Sequence, residues 1–337
     1  MSGVRTVVVL GGGTSSEHDV SLASARDIAA ALTGDRWRVV EFVQGRDGSW
    51  SGPDGAAGVG GPPGLPGLSG LAGLVAALVD ADVVIPAFHG AGGEDGTLAG
   101  LLELAGVSYV GSGVGAGALG MDKRVTKLLA VDAGVAVAPG VVVTSPDDAR
   151  LAAVPLPAIV KPNSGGSSHG LAVVTDRARL AGAVAAALDG DDRVLVEAMV
   201  RGREIDVGVL ELPDGSLRCS APLEIVKADD EVFDTEAKYG REPAFALPAD
   251  IPASVAGELQ QQARTMFRAL GCAGLARVDF FLTESGPVLN EVNTFPGFTS
   301  RSQFPRMFAS EGMGYPELVE TLAETALARR GRAQRVP

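Results

Sequence analysis

Cysteine and histidine are scarce in this 337-residue chain, with two of the first and three of the second. Cys219 and Cys272 stand far apart and no Cys-x-x-Cys occurs, which excludes a disulfide framework or thiolate zinc site and points to a reducing compartment. Basic residues are also in the minority. Lys and Arg number 28 against 41 Asp and Glu, for a formal net charge of −13. That excludes a broad nucleic-acid or membrane surface, so any phosphate site has to be local. No apolar run approaches bilayer-spanning length. The apolar run in MSGVRTVVVLGGG is too short for a secretion signal, and the expected location is the cytoplasm. What is plentiful is apolar residue, 46% of the chain, ample for the cores of two or three domains.

The periodicity divides the chain into three parts. RTVVVLGGG reads as a buried parallel strand ending in a glycine turn, and SLASARDIAAAL as a helix capped by Ser21. WRVVEFV, DVVIPAF and VSYVGS read as strands. LAGLVAALVD and TLAGLLELAG read as helices, the second closed by Gly106. This β-α alternation predicts a parallel sheet covered by helices over residues 1–120. The Gly/Pro-rich stretch 45–70 interrupts it as a surface loop. A second unit, 121–203, opens with the helix DKRVTKLLAVDAG and continues with short strands around ARLAGAVAAAL. A third, 204–337, has strands following one another and ends in the helix YPELVETLAETALARR. The last two units are α+β in pattern.

Six stretches carry possible chemistry, two of them weakly. VLVEAMVRGRE, with Glu197 and Glu204, could offer groups to an adenine and a ribose. FDTEAKYG, with Lys238 and Tyr239, is either a lid over a nucleotide or a plain solvated loop. In VLGGGTSSEHDVS, Gly11 and Gly13 give only part of a dinucleotide fingerprint, since position 16 is Ser. Glu17 there is either a holder of an ammonium group or a helix-start acid. In FHGAGGEDGT, His89 lines a pocket or is structural, and Glu94 and Asp95 cap the helix from Thr97. IVKPNSGGSSHG delivers Lys161, a loop and the hydroxyls of Ser167 and Ser168, which suit phosphate oxygens, or else form a plain hairpin turn. RVDFFLTESGPVLNEVN reads as a hairpin with a three-residue loop, ESG, and Gly286 in its left-handed position. That register pairs Asp279 with Glu291 and Arg277 with Asn293 and sets all four on one face. Such oxygens suit Mg²⁺; the alternative is an ordinary ion pair on a solvated sheet.

In this order, GGGTSSEHDVSLAS, HGAGGEDGTLAGLLELAGVSYVGSG, ALGMDKRVTK, IVKPNSGGSSHG, GREIDV, EAKYG, GLARVDFFL and LNEVNTFPGFTSRSQFP resemble the D-alanine–D-alanine ligases of the ATP-grasp superfamily. The resemblance covers nearly the whole chain. It implies an ATP-grasp fold behind an N-terminal Rossmann-like (pre-ATP-grasp) domain, and a homodimer built through that domain. It implies ATP and D-alanine as substrates. Lys123 and Lys161 would contact the phosphates with Ser168 nearby, Glu197 and the backbone after it the adenine, and Glu204 the ribose. Asp279, Glu291 and Asn293 would hold two Mg²⁺ ions, with Mn²⁺ as a substitute and a monovalent cation as a further possibility. Lys238 would neutralise the moving phosphoryl group. Arg277 and the Gly297 N–H would hold the tetrahedral oxyanion. Glu17 would bind the first substrate's ammonium with His89 near it. Ser167 and Tyr239 would join Glu17 in a hydrogen-bond set that closes the lid. Ser302, followed by Gln303, would hold the second substrate's carboxylate.

The chain departs from the family pattern at Phe233 and Thr235 in the lid, at His169 in the serine loop and at Gln303. These positions border the substrates. They leave open a ligase with another acceptor, such as D-serine, while the retained EAKY stretch argues against D-lactate. A nucleotide-binding regulator without catalysis is the alternative from a different class.

Overall fold

The computed structural model describes residues 3–32, 34–53, 70–166, 170–226 and 244–333. The first sheet is built from β1 (Arg5–Gly12), β2 (Trp37–Gln44), β3 (Trp50–Ser51), β4 (Val83–Pro86) and β5 (Ser108–Tyr109), in the order β3-β2-β1-β4-β5. All neighbours are parallel except β3 on β2. Helices α1 (His18–Ala31), α2 (Leu71–Val79), α3 (Thr97–Ala105) and α4 (Val114–Met121) accompany it. Val7, Val8, Val9 and Leu10 are fully buried, as a strand covered on both faces requires.

Helix α1 begins three residues before the expected cap. Its N-cap is Glu17, and Ser21 lies inside the helix. The Ser21 hydroxyl donates to the Glu17 carbonyl and accepts the His89 N–H at 3.0 Å, so it serves a tertiary contact instead of a helix end. Helix α3 ends at Gly106 in the left-handed region, as expected. Most of the loop expected over 45–70 lies outside the described residues.

The second sheet is antiparallel. It contains β6 (Gly140–Val143), β7 (Ala158–Pro162), β8 (Ala172–Val174) and β9 (Val194–Ala198), ordered β6-β9-β7-β8. Helix α5 (Lys123–Asp132) precedes it and α6 (Leu180–Leu188) packs on it. The third sheet contains β10 (Arg203–Glu211), β11 (Leu217–Cys219), β12 (Leu223–Val226), β13 (Ala244–Ala246), β14 (Leu275–Thr283) and β15 (Gly286–Asn293). Its order is β13-β12-β10-β14-β15, with β11 on β10. Helices α7 (Ala253–Ala269), α8 (Gln303–Ala309) and α9 (Tyr315–Ala333) complete the chain.

Two helices tie these sheets together. Leu318, Val319 and Leu322 of α9 share a core with Val7, Val9 and Ile28, so the last helix covers the first sheet. Ala130 of α5 shares another core with Ile205, Val207, Phe280 and Leu289. The carboxyl end of β1, the start of α5 and the β14–β15 hairpin are thereby fixed relative to one another.

Candidate active site

The hairpin sets the expected register by an unexpected route. Arg277 faces Asn293 and Asp279 faces Glu291, as the spacing predicts. The loop, however, has two residues, because Thr283 already pairs with Gly286. A two-residue loop alone would slip the ladder by one. A β-bulge at Asn290, between the Asp279–Glu291 and Phe280–Leu289 pairs, restores it. The bulge also brings Asn290 to the cleft, where its Oδ1 accepts from Lys161 Nζ at 3.3 Å.

Three acidic residues lie in a row across adjacent strands: Asp206 on β10, Asp279 on β14 and Glu291 on β15. Asp206 and Asp279 are buried. Arg277 forks onto Asp279 through Nε and Nη2 at 2.7 and 2.8 Å, and its Nε lies 3.6 Å from Asp206. Asn293 Nδ2 donates to Asp279 at 2.9 Å. Burial drives the Asp206 and Asp279 carboxyls above their ordinary range. The facing Asp279 adds to this at Asp206, while Arg277 opposes it at both. Burial alone would lower the Arg277 pKa, but Asp279 and Asp206 hold it above the usual arginine value. The guanidinium is therefore permanently charged, and its Nη1 has no hydrogen-bond partner among the described residues.

Opposite this row stands a lysine group. Lys161 on β7 and Lys127 on α5 both approach Glu197 on β9, at 2.9 and 2.8 Å, and all three side chains are buried. Burial pushes the Glu197 carboxyl up, yet Lys161 and Lys127 outweigh it and hold it below its ordinary range. Two ammoniums share one carboxylate, so this triad carries one uncompensated positive charge. Lys123, the first residue of α5, donates to the Gly165 carbonyl at 2.6 Å; burial lowers its pKa, against the pull of Glu291. The base of the serine loop is rigid. Asn163 is fully buried and donates to Asp122, the α5 cap, at 2.9 Å. Glu204 sits near the start of β10, half-buried.

The third part gathers around Glu17. A Cβ placed on Gly90 would lie 2.8 Å from Glu17 Oε2, and one on Gly166 would lie 3.8 Å from it, so the strand ends and the serine loop converge there. His89 is buried, with both ring nitrogens engaged. Nδ1 meets the Phe295 carbonyl at 3.1 Å and Nε2 the Ser24 hydroxyl at 2.9 Å. A carbonyl only accepts, so Nδ1 carries the hydrogen. Burial lowers the His89 pKa, so Nε2 is an acceptor and Ser24 donates to it. Ser24 in turn accepts the Phe298 N–H at 3.3 Å. His89 thus braces the Phe295–Phe298 turn. Ser302 closes the turn by accepting the Thr299 N–H at 3.0 Å, and half-buried Gln303 begins α8.

The structure therefore brings together Glu17, His89, Lys123, Lys161, Glu197, Arg277, Asp279, Glu291, Asn293, Gly297 and Ser302. Ser167, Ser168, His169, Phe233, Thr235, Lys238 and Tyr239 lie outside the described residues. Sequence reasoning missed Asp206, Lys127, Asn290 and Glu94. Of these only Lys127 had a local signal, four residues after Lys123 and so on the same side of a helix. The N-cap of α3 is Gly96, not either expected acid; Asp95, one residue earlier, accepts the first-turn Thr97 N–H at 2.9 Å, and Glu94 does not. It turns back to accept from Gly90 and Phe295.

An α/β unit joined to two antiparallel sheets, with buried lysines on one and a carboxylate row on the other, defines an ATP-grasp fold. Family models for the D-ala D-ala ligase N-terminus and C-terminus match residues 6–60 with 71–112, and 129–324. The D-alanine–D-alanine ligase of Corynebacterium aurimucosum is 42% identical over 97% of this chain and 98% of its own length. That of Rhodococcus jostii is 44% identical over 98% and 99%. Among solved structures, the Coxiella burnetii D-alanine–D-alanine ligase superposes with a TM-score of 0.82 at 31% identity, covering 100% of this chain and 97% of that one. The VanG D-Ala:D-Ser ligase of Enterococcus faecalis gives 0.82 at 30% identity, with 96% and 99% covered. A Bacillus anthracis D-alanine–D-alanine ligase complexed with ATP gives 0.80 at 25%, with 98% and 100% covered. The chain belongs to the D-alanine–D-alanine ligase family.

Proposed function

We propose that this enzyme joins two D-alanines into D-alanyl-D-alanine at the expense of ATP, for peptidoglycan precursors. The observation that carries the reading is the paired register Arg277–Asn293 and Asp279–Glu291, facing Lys161 across the Asn290 contact. The carboxylate of the first D-alanine attacks the γ-phosphorus of ATP. A new C–O–P linkage forms as the β,γ-bridge bond breaks, and ADP leaves. The amine of the second D-alanine, deprotonated, then attacks the acyl carbon. The C–N bond forms, the carbon–oxygen bond breaks with its electron pair on the departing inorganic phosphate, and the nitrogen loses a further proton to solvent.

Each group has a task in this scheme. The unbalanced charge of the Lys127–Lys161–Glu197 triad attracts the triphosphate, with Lys123 and Ser168 at the serine loop. Glu197 and the β9 backbone hold adenine, and Glu204 holds the ribose. Glu17 takes the first substrate's ammonium. Arg277, through its unused Nη1, and the Gly297 N–H hold the oxyanion of the amide-forming step. Ser302 and Gln303 receive the second substrate's carboxylate. Lys238, Tyr239 and Ser167 complete the closed lid, which keeps water from the acyl phosphate.

Asp279, Glu291 and Asn293 fit magnesium by chemistry, offering hard oxygens on one sheet face. Among the described residues no group of three or more His, Cys, Asp or Glu is placed to hold a metal. These residues would supply only a few oxygens to a magnesium ion, with water and phosphate completing its shell. When bound, magnesium (or manganese) neutralises charge on the phosphates. The three units act as first-substrate domain (1–120), central ATP-grasp subdomain (121–203) and C-terminal subdomain (204–337). The protein works in the cytoplasm as a homodimer joined through the first unit. Exposed Val75, Val79 and Leu104 on α2 and α3 suit such a contact.

Mass spectrometry of products from ATP, Mg²⁺ and D-alanine, with D-serine and D-lactate in competition, tests the reading. A D-alanyl-D-alanine product is expected. A product dominated by D-alanyl-D-serine would move the function to the second reading, favoured by the departures at His169, Phe233, Thr235 and Gln303 and by the likeness to VanG. Turnover of none of them with ATP bound would overturn both.

The Glu17 role has its own test. Gly90 has φ +76, and an added Cβ would meet Glu17 Oε2 at 2.8 Å. The left-handed backbone costs alanine roughly 1–2 kcal/mol. Gly90→Ala is expected to raise the KM of the first D-alanine by about tenfold or more, about 1.4 kcal/mol of binding, with the KM for ATP unchanged. An unchanged D-alanine KM would remove Glu17 from that site.

A further inference from the structure

Glu94 spends its carboxyl on two backbone donors. Gly90 N–H reaches Oε2 at 2.8 Å, and Phe295 N–H, 201 residues further on, reaches Oε1 at 3.2 Å. The Phe295 carbonyl is held from the other side by His89 Nδ1. Both peptide groups of Phe295 are thus fixed by one loop, residues 89–94. Pro296 follows with no N–H and a fixed φ.

The rest of the turn is anchored too. Phe298 N–H goes to Ser24, Thr299 N–H to Ser302, and Ser300 N–H to Asp27 at 2.8 Å. Between Phe295 and Ser300, only the Gly297 N–H has no acceptor among the described residues. Gly297 is half-buried between buried Pro296 and Phe298. One free donor thus stands in a turn whose other donors are all tied. Its direction is set upstream by Glu94 and His89 and downstream by Ser24 and Ser302.

We propose that Glu94 is a positioning residue for the amide-forming half of the reaction, aiming the Gly297 N–H at the tetrahedral oxyanion by holding Phe295. The inference rests on the reading of Gly297 as an oxyanion donor. Both carboxyl oxygens of Glu94 are engaged by the Gly90 and Phe295 N–H donors, so it acts through Phe295. Its environment suits a fixed brace. Burial drives its pKa up to about 8, with Glu17 adding to the rise and the two N–H donors and Arg277 opposing it. The phosphorylation half builds no oxyanion on carbon, so it does not need this donor.

The two half-reactions can be read separately on the whole enzyme. Dipeptide formation reports ligation. D-alanine-dependent scrambling of ¹⁸O from the β,γ-bridge of ATP into the β-nonbridge positions reports reversible acyl phosphate formation. Glu94→Ala is expected to lower dipeptide formation by about 10- to 100-fold, as an oxyanion donor displaced by about 1 Å would, with scrambling within about twofold of wild type. Glu94→Gln keeps one acceptor and sets an amide N–H against the other backbone N–H, so its loss should be smaller but of the same kind. Should the alanine variant not fold, the glutamine variant carries the comparison alone. Unchanged ligation, or a parallel fall in both readouts, overturns the proposal while leaving the ligase reading intact. A wild-type enzyme that scrambles label but makes no amide overturns the oxyanion reading and the proposal with it.

Discussion

Arg277→Met should cost this protein about 3–5 kcal/mol of stability and 10²–10³-fold in turnover, and the two losses have separable causes. The guanidinium lies on β14 between two buried carboxyls, forked onto Asp279 and 3.6 Å from Asp206. Removing it strands both. They can answer only by binding protons, so their folded-state pKa values rise further above the unfolded ones. The unfolded state then binds fewer protons than the native state, and stability falls as pH rises out of the ordinary carboxyl range. Urea unfolding should therefore show the variant closest to wild type near pH 5 and furthest from it near pH 8. Asp206→Asn in the Arg277→Met background removes one stranded carboxyl and should recover part of the stability. It should recover none of the turnover, because the unused Nη1 is gone. Arg277→Lys keeps the charge but loses the planar fork, so it should restore stability more than activity. Turnover of Arg277→Met within about threefold of wild type would remove the guanidinium from oxyanion stabilisation.

The same arginine shows how far the chain could be read before its fold was seen. The four-residue face of Arg277, Asp279, Glu291 and Asn293 follows from strand alternation and one turn. The register was right, although the loop has two residues where three were expected. The bulge that compensates falls on Asn290, and one Asn within a strand pattern does not by itself mark a bulge, so nothing local announces it. Asp206 was legible as a strand residue and nothing more. Its meaning comes from facing Asp279, and pairing between β10 and β14 across an intervening helix is a long-range fact. Glu94 failed for the opposite reason. An acid before a helix start looks like a cap, and Asp95 beside it does accept a first-turn N–H. Only the return of the chain at Phe295 gives Glu94 a different partner. Ser21 failed in the same way, since a serine near a helix start also satisfies the cap pattern. Lys161 was legible as a candidate because it stands beside a Gly/Ser loop, where its chemistry is local, whereas Lys123 came only from the family resemblance.

Glu197→Gln is the companion experiment on the other side of the cleft. The carboxylate neutralises Lys127 and Lys161, all three being buried. Gln keeps the shape and removes the charge, leaving two buried ammoniums together at a cost of about 3–5 kcal/mol. Lys127 already titrates below the ordinary lysine value, through burial first, and losing Glu197 removes a charge that holds it up. The unfolded state then binds more protons than the native state, so the deficit should shrink as pH rises from 7 towards 10. This is the reverse of the Arg277 variant, and the two opposite slopes separate stranded cations from stranded anions. Ligand shifts add a second axis. Inorganic triphosphate brings anionic charge without a base, so it should stabilise the glutamine variant more than it stabilises wild type. ATP brings the same charge plus adenine. If Glu197 also meets the base, the advantage of ATP over triphosphate should be smaller in the variant than in wild type. Equal triphosphate shifts in both proteins would mean that the lysine triad does not face the phosphates. An undiminished advantage of ATP would take Glu197 out of the adenine site and leave it as the counter-ion of the two lysines.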